Sequence, residues 1–274
     1  MKNILLFSCL AMMAFYTVSC NKDDDNTPDS SIVVQETDSE EYAVEIDAIA
    51  DEGFDMMELS QLKSGNVGYC YLTDCAVVTL DESEAIKVLT IDFGTGCVGA
   101  DGKVRTGKII VTTESFTETN KLRTFLFDGY TVSGNAVTGS IVKTITNDMD
   151  ANSRLAGISE DITIALAGDK GTLTRSADLT RLYEFGTLGA IRDNKFTTWG
   201  TTLFTSSQGR TVTKTVDEET PLLYKTACRQ VVSGTKTIDF GNGKVWTVNF
   251  GDGTCDHVAT ITDGENTWLV WLRK

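Results

Sequence analysis

The chain reads as a mainly β protein: an antiparallel meander forming a sandwich or rolled sheet, with a short helical segment on its N-terminal side. Three observations predict this. From about Cys75 onward the sequence is rich in Thr, Val, Ile and Gly, and its only proline there is Pro221. Seven runs have strand character, namely AVVTL, KVLTIDF, GKIIVTTESF, KLRTFLF, KVWTVNF, HVATIT and NTWLVWL. Between them lie Asp101-Gly102, Asp128-Gly129, Asn242-Gly243, Asp252-Gly253 and Asp263-Gly264. Such pairs take up the positive φ values that tight hairpin turns demand. No long helical period interrupts 75–274, which argues against crossover βαβ units.

The N-terminal elements concern location. Lys2 is a short basic region, Ile4 to Tyr16 is an apolar run, and Thr17-Val18-Ser19 ends in a small residue before Cys20. This is a secretory signal layout over 1–19, with an apolar run too short to span a bilayer. A cysteine directly after the cleavage point resembles the lipobox of bacterial lipoproteins, although Thr17 stands where that motif usually has Leu. The resemblance implies acylation of Cys20, palmitate included, and several acyl chains on one residue anchor a protein stably. A plain secretory peptide with an incidental cysteine is the alternative. Lys22, Asp23, Asp24 and Asp25 follow at once. They resemble the export tag that sends Bacteroidota lipoproteins to the outer face of the outer membrane. The alternative is a solvated acidic tether.

Loss of 1–19 leaves 255 of the 274 residues and moves the formal charge from −15 to −16, because only Lys2 is lost. That length suits one large domain or two small ones. So acidic a chain should not bind nucleic acid, since phosphate contacts need a basic patch. Anionic lipid heads should repel it too, which leaves membrane attachment to the acyl anchor. Residues 20–40 are polar and acidic and read as the lipidated tether. A helical segment is expected over 41–66, where Ala43, Ile46, Ala50, Phe54 and Met57 recur at steps of three and four. Gly53 should weaken it, and the alternation of Val44, Ile46 and Ala48 leaves a short strand open. The β domain would fill 67–274. In its last strand both faces are apolar, which suggests that the strand is covered.

An internal echo organises the cysteines. KVLTIDFGTGC (87–97) aligns with KVWTVNFGDGTC (244–255) with one inserted residue, which reads as two similar sheet regions, one early and one late. Each copy ends in a cysteine and has another upstream. This predicts Cys75–Cys97 and Cys228–Cys255 with Cys70 free; the rival is a local Cys70–Cys75 link. No CxxC occurs, and the single His257 cannot complete a Cys/His zinc set, so no metal or other cofactor is expected.

Cys75, TIDFGTGC, DGKVRTGKIIVT, PLLYKTACR and NFGDGTCDHVATIT together resemble a group of uncharacterised Bacteroidota surface-exposed lipoproteins, over most of 75–262. The resemblance implies a surface-exposed β protein and carries over no catalytic residues.

Several motifs imitate chemistry. Gly94, Gly96 and Gly99 spell GxGxxG, but a turn and a strand follow where a dinucleotide site needs a helix. Gly102 to Lys108 nearly spells a phosphate loop, with Ile109 where Ser or Thr should hold magnesium. Ser60 and Lys63 match SxxK without a KTG partner. Asp148, Asp150 and Asn152 have the spacing of a calcium loop, but Ser153 and Ser159 replace its glycine and glutamate, so a polar hairpin tip is expected. His257 lies in a strand-like run and reads as structural. Of Trp199, Trp246, Trp268 and Trp271, Trp199 is the best candidate for an exposed sugar platform, with the others in apolar strands.

The leading reading is an outer-membrane, surface-anchored lipoprotein without catalytic residues that binds or scaffolds an extracellular partner, whether protein or glycan. Two alternatives stand beside it: a glycan-binding accessory lipoprotein, and a hydrolase using carboxylates that sequence cannot single out.

Overall fold

The computed structural model describes residues 31–62, 71–83, 86–115, 117, 119–186, 193–228 and 230–272. Cys20, the run 22–25 and Cys70 lie outside them. One helix, α1 (Ser31–Leu62), precedes fifteen strands. These are β1 (Val77–Ser83), β2 (Ile86–Asp92), β3 (Cys97–Val98), β4 (Val104–Ser115), β5 (Asn120–Val132), β6 (Asn135–Asp148), β7 (Ser153–Ala165) and β8 (Thr172–Glu184). Then come β9 (Lys195–Thr205), β10 (Thr211–Val216), β11 (Leu222–Lys225), β12 (Gln230–Asp239), β13 (Val245–Asp252), β14 (Val258–Thr262) and β15 (Thr267–Trp271).

All strands belong to one antiparallel sheet in the order β1-β2-β4-β5-β6-β7-β8-β9-β10-β12-β13-β14-β15. The two echo copies sit in the same sheet, one in β2 near one end and one in β13 near the other. β10 pairs with one half of β9 and β11 with the other, so they act as a single strand broken by 217–221. Pro221 sits at that break, where a missing N–H does the least harm to the ladder.

The helix starts at Ser31, ten residues earlier than expected and inside the stretch read as tether. The strand left open at Val44–Ala48 is helix as well. α1 runs on through Gly53, which lets it approach β2: a Cβ there would lie 2.9 Å from Ile91 Cδ1 and 3.1 Å from a Leu89 methyl. Nearly all of the helix surface is enclosed, and only Thr37, Glu41 and Asp55 are exposed among residues 31–57.

The sheet rolls around α1. Side chains from β4, β5, β6, β7, β8, β10 and β12 all reach acids of this one helix. Strands lie about 4.8 Å apart, so β4 and β12 would be about 34 Å apart in a flat sheet, far beyond the span of two side chains. Along β7 and β8 buried and exposed residues alternate strictly over most of their length, with Ile158, Ile162, Ile164, Leu173, Ala177 and Leu179 turned inward.

Turns account for much of the Asp, Asn and Gly content. Asp101-Gly102, Asn242-Gly243 and Asp263-Gly264 occupy turns between strands, as expected. Asp128-Gly129 does not. It forms a bulge within β5 opposite Gly107 of β4, whose own positive φ and backbone contact with Gly129 require two glycines there. The β5–β6 hairpin instead turns at Ser133-Gly134, with φ of 51° and 80°, the paired positive values of a two-residue hairpin turn.

The echo has a structural meaning, and a third copy. Asp92 Oδ1, Asp239 Oδ1 and Asn249 Oδ1 each accept from the N–H two residues on, at Gly94, Gly241 and Gly251, each bond 2.8 Å. Each is an Asx turn; those at Asp92 and Asp239 end β2 and β12, whereas the one at Asn249 lies within β13, three residues before its end. In the two aligned copies Leu89 and Trp246, Ile91 and Val248, and Phe93 and Phe250 occupy equivalent buried positions. Both expected disulfides are present: Cys75–Cys97 with Cα atoms 5.5 Å apart and Cys228–Cys255 with 5.6 Å. They tie the chain near the two ends of the open sheet, and each loop closure contributes about 3 kcal/mol in the chain-entropy model.

Replacing Gly53 by Val tests the close approach of α1 to β2. The variant should lose about 1–3 kcal/mol in urea unfolding. An unchanged midpoint would show that Leu89 and Ile91 do not limit the space.

Candidate functional site

The concave face of the sheet and the helix inside it hold the densest chemistry among the described residues. At about 100° per residue, Glu36, Glu40, Asp47 and Asp51 fall within about 60° of one another around α1. This acidic stripe points into the protein. The sheet answers it with Arg123, Lys143, Arg154, Arg175, Arg181, Lys214 and Lys236, each an inward residue of its strand.

The first half of α1 sits in a balanced cluster. Glu36 is fully buried; Lys236 Nζ donates to its Oε2 at 2.9 Å, and Lys214 Nζ lies 3.0 Å from its Oε1. Lys214 also donates to Glu40 at 2.6 Å, and Arg175 Nε to Glu160 at 2.6 Å. Arg175 Nη1 is 3.6 Å from Glu36. Three carboxylates thus meet three cations. Burial opposes the ionised Glu36 and Glu40, but Lys214 foremost, with Lys236 and Arg175, outweighs it and holds both below the usual carboxylate range.

The second half is arranged differently. Asp47 pairs with Lys143 and accepts from the Tyr183 hydroxyl at 2.7 Å. Burial would raise its pKa, but Lys143 and these bonds pull it below the normal range. Asp51 is shared by Arg123 at 2.7 Å and Arg154 at 3.2 Å. On the opposite side of α1, Glu45 meets Arg105 and Lys103, and Asp101 completes that group through Arg105.

These carboxylates are paired with bases, and Glu36, Glu40 and Asp47 are held below the usual carboxylate range. A general acid requires the opposite, a carboxyl whose pKa is raised. Among the described residues no group of three or more Cys, His, Asp or Glu has metal-site geometry.

The residues singled out in the sequence do not converge here. Gly94, Gly96 and Gly99 lie between β2 and the β3–β4 turn, and Gly102–Lys108 runs into β4. Asp148 Oδ1 accepts from Asp150 N and Ala151 N in the β6–β7 turn, a polar hairpin tip. Ser60 lies in α1, while Lys63 is outside the described residues. His257 is not in a strand: it precedes β14 with φ of 60°. Trp199 is partly buried against the core and Trp246 is fully buried, whereas Trp271 is 75% exposed. The exposed tryptophan is therefore at the edge strand β15. That strand is not covered, since Leu269 projects with Trp271.

No candidate list from sequence contained the acidic stripe or its bases. The signal was present in α1 as carboxylates at 36, 40, 47 and 51 in a long Pro-free stretch. A scan against protein-family models and searches of curated proteins and of solved structures found no match for this chain.

Glu36→Gln should destabilise the protein by about 3–5 kcal/mol, because it strips the partner from buried cations. Chemical denaturation measures this; a loss below about 1 kcal/mol would mean the cluster is loosely held. The pH dependence has a defined sign. Glu36, Glu40 and Asp47 are lowered in the folded state, so their contribution is complete above about pH 5, past the ordinary range of Asp and Glu. It is lost as pH falls through that range toward the depressed folded values. Unfolding free energy that stayed flat from pH 6 to about pH 2 would contradict this.

Proposed function

We propose that the protein is a lipid-anchored binding or scaffolding protein on the outer face of an outer membrane. The observation that carries this reading is the apolar run ending at Ser19-Cys20, followed directly by Lys22-Asp23-Asp24-Asp25. In it, Cys20 takes the acyl chains and the acidic run directs surface export. Ten residues, 21–30, separate Cys20 from Ser31 at the start of α1, so the eleven steps between them reach at most about 38 Å. The rolled domain would stand close to the membrane and be held by lipid rather than by charge. The ionised, paired carboxylates support a non-catalytic role.

A glycan-binding role draws support from one observation, the exposed Trp271 beside Leu269 on an edge strand. An indole of this kind can stack on a sugar face.

Cys20→Ala should shift the protein from the membrane fraction to the soluble fraction and remove the acyl mass. Retention with unchanged mass would refute the anchor. Changing 22–25 to alanine should keep the anchor and abolish access to protease added to intact cells. Continued cleavage would refute the export role.

A further inference from the structure

The sheet ends differently at its two edges. Among the described residues β1 pairs only with β2, and β15 only with β14. An edge strand presents unpaired N–H and C=O groups, and charged side chains deter another strand from adding to it. β1 has that protection in Asp81 and Glu82, both exposed. β15 has none: its sequence TWLVW holds neither a charge nor a proline. Two of its side chains are large, apolar and turned outward, Leu269 at 60% exposure and Trp271 at 75%.

The ladder to β14 shows which backbone groups of β15 face the open side. Trp271 lies opposite Val258, Leu269 opposite Thr260 and Thr267 opposite Thr262. Just beyond them, Leu272 N–H donates to His257 O at 2.8 Å, and Asp263 N–H to Asn266 O at 3.2 Å. Bonded and non-bonded pairs alternate along an antiparallel ladder. Trp268 and Val270 therefore aim their backbone groups at β14, and Thr267, Leu269 and Trp271 aim theirs at the open edge. These three positions are symmetric about Leu269. If β15 pairs antiparallel with β15 of a second copy about that residue, Leu269 faces Leu269 and each Thr267 faces a Trp271. Every outward backbone position then falls in a bonded pair, which exchanges both of its N–H···O bonds. On the outer face the two Leu269 side chains meet, and each Trp271 reaches the Leu269 of the other copy across the diagonal. Charge favours the same orientation. Glu265 lies four positions before Leu269 in the sequence and Arg273 four after it. Antiparallel pairing sets each of these positions beside its opposite charge, whereas parallel pairing sets like beside like.

We infer that β15 is a self-association edge: two copies of this chain join β15 to β15, antiparallel about Leu269, and continue one sheet through both. The contact is small, so the dimer is weak, with a dissociation constant roughly micromolar or above. Its formation covers Trp271 and competes with any sugar stacked on that indole. The inference goes beyond the binding reading and does not depend on the anchor.

Sedimentation velocity of the full chain, from about 1 to about 100 μM, should show a reversible monomer–dimer equilibrium. Leu269→Lys, which sets two like charges on the two-fold axis, should weaken the dimer about tenfold or more. Leu269→Pro removes an N–H that faces the open edge, a position where a strand tolerates proline. It should keep the circular dichroism of the parent chain and lose the dimer. Val77→Lys, on the opposite edge, should leave the equilibrium unchanged. Leu269→Cys should give a covalent dimer on mild oxidation, with a peptide map that joins 269 to 269. Bonded antiparallel pairs hold their Cα atoms about 5.5 Å apart, within the reach of a disulfide. A chain that stays monomeric throughout, association that survives both Leu269→Lys and Leu269→Pro, dissociation by Val77→Lys, or the absence of a 269–269 link would overturn the edge. None of these results bears on the anchor, which the Cys20 and 22–25 variants test separately.

Discussion

The stripe of carboxylates on α1, buried at Glu36 and Asp47 and set against bases from seven strand positions, is the constraint on which the rest of the structure depends. A row of ionised acids cannot be buried beside an apolar sheet without a large loss of hydration. It can be buried where each acid meets a base, which fixes the depth and rotation of the helix. A quarter turn of α1 would leave Glu36 or Asp47 against Ile and Leu side chains. The net stabilisation comes mainly from apolar burial, because buried ion pairs roughly offset their own desolvation. Ile32, Ile46 and Ile49 of α1 pack with Leu89, Ile109, Phe125, Ile162 and Phe204 in one core. The charges select which packing is adopted and so set how far the sheet rolls.

The same constraint explains what the sequence made legible. The outer strands β1, β2, β4, β5, β13, β14 and β15 were readable because apolar residues dominate their inward positions, with Arg105 of β4 and Arg123 of β5 as charged exceptions. The central strands were not individually readable. Lys143, Glu160, Arg175, Arg181, Lys214 and Lys236 occupy inward positions of β6, β7, β8, β10 and β12, where a strand pattern leads one to expect apolar residues. The helix was half hidden for the same reason. Its acids at 36 and 40 were taken as part of a solvated acidic tether, when Glu36 is fully buried and Glu40 is half-buried against Lys214. The disulfide pairing was legible because the echo places equivalent turns at the ends of equivalent strands. The glycines divided by environment: Asn242-Gly243 sits at a chain reversal, whereas Asp128-Gly129 is held inside a strand by a facing glycine. That difference depends on a partner strand remote in sequence.

The charge pattern along the groove also connects fold to chemistry. Where α1 supplies as many acids as the groove needs, around Glu36, the interior is neutral and closed. Toward Asp51 the helix leans onto β1 and β2, with Gly53 against Leu89 and Ile91, and away from β9 and β11. The rung of Arg154, Tyr183, Phe196 and Tyr224 is half-buried there.

Native-state hydrogen exchange on the intact chain tests most directly whether helix and sheet form one cooperative unit. If the buried acid–base interface holds them together, amides of α1 between Ile32 and Ala50 should exchange only through global opening, with the same free energy as amides of β6, β7 and β8. Exchange of the α1 amides several kcal/mol more readily than those of the central strands would contradict this. It would mean that the sheet keeps its roll without the helix.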